Sequence, residues 1–185
     1  MQSENHFELR AQLMSVDQAN SSSHFYELVD DNAMPMGLQI WVDGLQLEEG
    51  VAIDFLGLLD TTHKLKQSVW KPYWQPNIFS CGCGTPGCAG MSHGIQVSHD
   101  GAHVVWTASL PLVIRRRNAE PPHGVNTTYR FLKSQMIEQC QRFVKTARTM
   151  SGGKLSNVRV PVYNQSLDVL LRKSRFKWAR RGTTK

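Results

Sequence analysis

Three cysteines crowd into eight residues, Cys81-Gly-Cys83-Gly-Thr-Pro-Gly-Cys88, and no other stretch of the chain restricts its backbone so sharply. Cys81 and Cys83 are two apart, so in an extended strand their side chains point to opposite faces. Both reach one ion only if the backbone turns. Gly82, Gly84, Pro86 and Gly87 supply the turn, glycine through positive φ and close backbone approach. The same turn brings Cys88 round as a third thiolate. Zn²⁺ in structural sites takes four tetrahedral ligands, with Cys and His preferred, so the fourth must come from outside the motif. His93, five residues beyond Cys88, is the nearest candidate; His99, His103 and Cys140 are the others. The expectation is a structural zinc knuckle over residues 79–93, with Cys81, Cys83, Cys88 and His93 as ligands. Inert or redox-labile thiols are the alternative. A nucleophilic cysteine is a third, but it needs an electropositive setting or a partner base, and nothing in the sequence marks one.

The surroundings favour free thiols. The start, Met1 to His6, lacks the basic residues and apolar stretch of a signal peptide, and four cysteines without an export signal imply a reducing compartment. A cytoplasmic location is expected. No apolar run approaches the roughly 20 residues needed to cross a bilayer, so no membrane partner is expected. A 41% hydrophobic fraction with five Trp points to a packed globule rather than disorder.

Local patterns mark the elements. His6 to Leu13 alternates as a half-buried strand does. Asp17 to Ser23 is polar and reads as a loop. Leu38–Val42 and Leu45–Leu47 flank Asp43-Gly44, a strong hairpin signal. Val51 to Leu59 is long and apolar enough for a buried helix, with a buried strand as the alternative. Residues 94–98 and 103–107, joined through His99-Asp-Gly-Ala102, form a second hairpin, and Leu110 to Ile114 offers a further strand. Phe131 to Met150 places Leu132, Met136, Cys140, Phe143 and Ala147 on one helical face, which makes Cys140 a small core residue before it is a ligand. Gly152-Gly153 ends that helix. A last amphipathic segment starts near Ser166 and runs on towards Arg181. The fold class expected is α+β: antiparallel hairpins first, a central Cys-rich knuckle, and two C-terminal helices. Residues 1–163 form the domain and 164–185 a basic helix or tail.

The cysteine spacing is similar to the zinc-binding tail that follows SET-domain methyltransferases. Here the motif is central and no SET signature precedes it, so the likeness implies zinc chemistry and not methyl transfer. A second resemblance is to a group of uncharacterised bacterial proteins. It rests on Gln39-Ile-Trp-Val-Asp-Gly44, Phe79-Ser-Cys-Gly-Cys-Gly-Thr-Pro-Gly-Cys-Ala-Gly90, Val104-Val-Trp106 and Tyr129-Arg-Phe131. That likeness covers residues 37–150 and implies a compact fold, with no activity to transfer. Where it leads one to expect an Asp capping the helix after Phe131, this chain has Leu132.

No Gly-x-Ser-x-Gly elbow, His-Glu-x-x-His or dinucleotide fingerprint is present, and no catalytic residue is assigned. Charge is the stronger functional signal. Residues 1–60 hold eleven acids against Arg10 alone, while residues 61–185 hold four acids and twenty bases, for a net +6. Residues 154–185 carry nine bases against Asp168. Within them Arg172, Lys173, Arg175, Lys177, Arg180 and Arg181 interleave with Phe176 and Trp178, and Arg115-Arg-Arg117 and Arg130 extend the same charge. Bases neutralise phosphates and release counterions, and aromatic rings stack on unpaired bases. The function expected is non-enzymatic binding, with the basic end (Trp178 included) contacting nucleic acid or a nucleoprotein. A protein–protein adaptor or inhibitor using the acidic first segment or the aromatic surface is the second reading.

Overall fold

A computed structural model describes residues 4–21, 31–47, 52–62, 78–80, 95–108, 127–163 and 165–174. Along them the chain forms β1 (Phe7–Leu13), α1 (Val16–Asn20), β2 (Met34–Val42), β3 (Leu45–Leu47), β4 (Ala52–Ile53) and α2 (Phe55–Thr61). It continues as β5 (Phe79–Ser80), β6 (Gln96–Asp100), β7 (His103–Ala108), β8 (Thr127–Leu132), α3 (Lys133–Met150), β9 (Val158–Arg159) and α4 (Leu167–Lys173). The class is α+β, with antiparallel pairing dominant.

Asp43 and Gly44 both adopt positive φ, 50° and 79°, as a two-residue turn matched to strand twist requires. They close β2 on β3, with Val42 opposite Leu45. β1 pairs antiparallel with β2 from Phe7 opposite Val42 to Leu13 opposite Met36. The start of β2 takes a parallel partner, β9, through Met34 and Val158. In the second sheet β7 lies between β6 and β8, and Gly101 supplies the positive φ of the β6–β7 turn.

Residues 4–6 join the two sheets. Asn5 bridges in parallel to Phe131; its N–H donates to the Arg130 carbonyl at 2.8 Å, and its side-chain oxygen accepts from the Arg130 N–H at 2.8 Å. Behind this seam Phe7, Trp106 and Phe131 meet edge to face, with centroids 5.0 to 6.0 Å apart. Such pairs add about 0.5–1.5 kcal/mol each beyond area burial. The core therefore sits where the two sheets meet α3.

α3 buries Met136, Cys140, Phe143, Val144 and Ala147, the face expected from the sequence. It also buries Gln139, which spacing alone does not explain. β1 is an edge strand, and its outward N–H groups need acceptors. Gln135 Oε1 accepts from Phe7 N at 3.1 Å and Gln139 Oε1 from Leu9 N at 3.4 Å. One helical turn between two glutamines thus covers two successive outward amides of the strand.

Several expectations change. Asp17 to Asn20 is part of α1, not a loop, and Ser15 with Gln18 forms a reciprocal capping box that the sequence already displays. The 51–59 run divides: Asp54 interrupts it, ends β4 and caps α2. Helices therefore occur in the first half as well as late. The long helix begins at Lys133, because Tyr129 and Phe131 lie two apart on one face of β8, stacked at 6.0 Å. Leu132 is its N-cap and makes no capping bond. Gly152 and Gly153, at φ 58° and 88°, terminate it. α4 spans Leu167–Lys173, and the rest of the expected segment, towards Arg181, lies outside the described residues.

Candidate functional site

The cysteine segment leaves one sheet and enters another. β5, directly before Cys81, pairs antiparallel with β4: Ala52 faces Ser80 and Ile53 faces Phe79. The Asp54 N–H donates to the Ile78 carbonyl at 2.7 Å. Ile78 and Phe79 are buried on one side of the segment and Ile95 on the other. Two apolar anchors thus hold its ends to the core. Cys81, Cys83, Cys88 and His93 themselves lie outside the described residues, as does the strand expected over Leu110 to Ile114.

Next to this anchor stands one half-buried carboxylate, Asp54. Asp54 Oδ1 accepts from Gly57 N at 2.8 Å, the capping bond of α2, and also from the Tyr163 hydroxyl. A Cβ on Gly57 would stand 3.2 Å from Asp54 Cγ, so a glycine lets the carboxylate close over the helix start. Val162 precedes Tyr163 with φ 77°, a conformation a β-branched residue adopts only under constraint. That turn delivers the phenol to Asp54. Burial pushes the Asp54 pKa above its ordinary value, against the opposing pull of Gly57 N–H and Tyr163 O–H. Burial and the neighbouring Asp54 charge push the Tyr163 pKa up as well. Both groups spend their hydrogen bonds inside the fold, so the pair is a clasp between the start of α2 and the turn that follows β9.

The other ligand candidates are occupied differently. Cys140 is fully buried on α3, and burial pushes its thiol up to about 12, so it is a neutral core residue at physiological pH. His103 Nε2 is 2.9 Å from Glu4 Oε2. His99 is half-buried on β6 and engaged in contacts of its own. Among the described residues no group of three or more His, Cys, Asp or Glu is placed to hold a metal ion.

At the basic end, Leu167 and Leu170 bury α4 in the core while Arg172 and Lys173 are exposed at its last turn. Arg172 pairs with Asp168 one turn back at 2.7 Å, and Lys173 Nζ donates to Gln165 Oε1 at 2.8 Å. Arg175, Lys177, Trp178, Arg180 and Arg181 lie outside the described residues, as does Arg115-Arg-Arg117. Arg130 is turned to Asp100 at 3.1 Å.

A set of bases went unread in the sequence: Arg142, Lys145 and Arg148, all exposed on α3. The signal was available, since the pattern that defines the apolar face of that helix also defines its opposite face. On the outer face of the first sheet, Arg10 lies 3.8 Å over the Trp41 ring and is held there by a bidentate pair with Glu8. No helix among the described residues is long and apolar enough to cross a membrane. No protein-family model, curated protein or solved structure matches this chain.

Proposed function

We propose that this is a non-enzymatic cytoplasmic binding protein whose basic C-terminal surface contacts nucleic acid or a nucleoprotein and whose cysteine segment is a structural zinc knuckle. The observation that carries the binding reading is the division of α4. Leu167 and Leu170 are buried while Arg172 and Lys173 are exposed at the helix end, so a rigid base leads into Arg175, Lys177, Trp178, Arg180 and Arg181. Such a run combines phosphate neutralisation with an aromatic platform.

The knuckle reading is supported by the buried anchors on both sides of the segment and by its donor set. Cys81, Cys83, Cys88 and His93 would hold the ion and supply a tetrahedral cross-link. Cys140 is fully buried on the core face of α3 and is left out of this donor set. Its task would be to tie β5 to β6, with no part in turnover.

The test is binding of a labelled oligonucleotide as a function of salt. Affinity should fall steeply with added salt and collapse when Arg172, Lys173, Arg180 and Arg181 are changed to Ala. Binding that survives both treatments rejects the reading. Retention of one specific protein partner, lost on Trp41→Ala, would favour the adaptor reading instead. The Arg10–Trp41 stack, with Arg10 exposed and Trp41 half-buried, is the observation in its favour, since Arg and Trp are enriched at protein interfaces.

A further inference from the structure

Most arginines in the described residues are already committed. Arg10 is bonded to Glu8, Arg130 to Asp100 and Arg172 to Asp168, and the Arg159 guanidinium donates to the Ser156 carbonyl at 2.7 Å. Arg142 and Arg148 are the exceptions. They lie on α3 with Lys145 between them, all three exposed, and no carboxylate among the described residues forms an ion pair with them. Glu8 is close enough for Arg142 to contribute to lowering its pKa, but its oxygens are taken by Arg10.

Spacing of three residues puts successive bases about 4.5 Å apart along the helix, within one sector of its surface. No acid occurs from Gln139 to Leu167, so bases outnumber acids along this side, with Glu138 one turn before Arg142 as the acid at its N-terminal end. Lys154 is exposed four residues past the helix end. The chain then enters β9, where Arg159 bridges to Ser166 at the start of α4. The ridge is therefore connected through one short strand to the helix that leads to the basic tail. Helix stability does not require all three charges: Arg148 complements the C-terminal dipole, but Arg142 and Lys145 lie upstream of the last turn.

We infer that Arg142, Lys145 and Arg148 form a phosphate-contacting ridge, a second segment of the nucleic-acid surface that reads backbone charge and not base identity. This rests on the nucleic-acid reading above. Uncommitted bases on a rigid helix lose less conformational freedom on binding than those of a tail, so the ridge would fix the register of the polymer while the tail adds aromatic contact.

The experiment compares the unaltered full-length chain with R142A/K145A/R148A and R172A/K173A/R180A/R181A, and with charge-retaining controls, on labelled single-stranded and duplex DNA between about 50 and 200 mM salt. Each phosphate contact contributes about 0.9 to the logarithmic salt slope on duplex and about 0.7 on single strands. Three contacts therefore amount to a slope change of about 2–3 and a loss on the order of 100-fold near physiological salt. The ridge variant should show both, with equal loss for unrelated sequences and an unchanged melting curve. A ridge variant that binds like the unaltered chain while the tail variant fails overturns the ridge and leaves the tail reading standing. No salt-dependent binding by the unaltered chain overturns both. Charge-retaining K145R, binding as the unaltered chain does, separates lost charge from a disturbed helix; if R142K/K145R/R148K is as weak as the alanine variant, the ridge is rejected.

Discussion

Tyr163→Phe removes one oxygen atom, and the hydrogen bond it takes away spans 109 residues of sequence. The acceptor is a mostly buried carboxylate, and hydrogen bonds to charged groups contribute about 1.5–3 kcal/mol. For a chain of this size each kcal/mol shifts the melting temperature by about 2–4 °C. The variant should melt roughly 3–12 °C lower. Asp54→Ala removes the same bond and also the cap of α2, itself worth about 1 kcal/mol, partly offset by the removal of a desolvated charge. If the bond is real, the two changes share it. The double variant should then be less destabilised than the sum of the singles by about 1.5 kcal/mol or more.

The effect of pH has a definite sign. Burial raises the Asp54 pKa in the folded state above its ordinary value of 3.8. This group's favourable contribution is therefore complete below that value and is lost as pH rises through the folded pKa. Tyr163 opposes the shift by bonding the ionised form, so the defect of Tyr163→Phe should grow from mildly acidic to neutral pH. Urea melts of the four proteins at both pH values measure this. Additive singles, or a phenylalanine variant whose defect is independent of pH, would refute the clasp.

Gln139→Leu makes the α3 face more apolar, yet it should destabilise by about 1–2 kcal/mol because the Leu9 N–H is left buried without an acceptor; a rise in denaturation midpoint would reject the edge-covering role. Leu132→Asp supplies the capping group that the start of α3 lacks and should stabilise by about 0.5–1 kcal/mol, read from the midpoint of urea melts. Protein purified without added metal should carry close to one zinc, and a strong chelator should lower its melting temperature. Metal-free protein with an unchanged melt rejects the knuckle.

Sequence periodicity specified what is local. Asp43-Gly44 and Asp100-Gly101 locate their hairpins because the turn conformations they adopt are accessible within a few residues. The apolar face of α3, Cys140 included, follows from helical spacing, and Gly152-Gly153 from the need for positive φ at its end. Even the capping box at Ser15 and Gln18 is written in the chain, although a polar composition made it look like a loop.

Tertiary structure decided what depends on a partner far away in the chain. Residues 129–131 carry the same letters whether they open a helix or end a strand; pairing with β7 and with Asn5 makes them β8. Gln135 and Gln139 look like blemishes on an apolar stripe until the outward amides of β1, 128 and 130 residues away in sequence, are set against them. Asp54 looks like an isolated acid in an apolar run until Tyr163 arrives. The count of bases was legible from the start, but which of them remain unpaired was not, since an ion pair such as Arg130 with Asp100 exists only once β6 and β8 are brought to either side of β7. Periodicity reports which face is buried. Only the assembled fold reports which polar groups on either face have found partners, and that decides which charges are left to bind anything else.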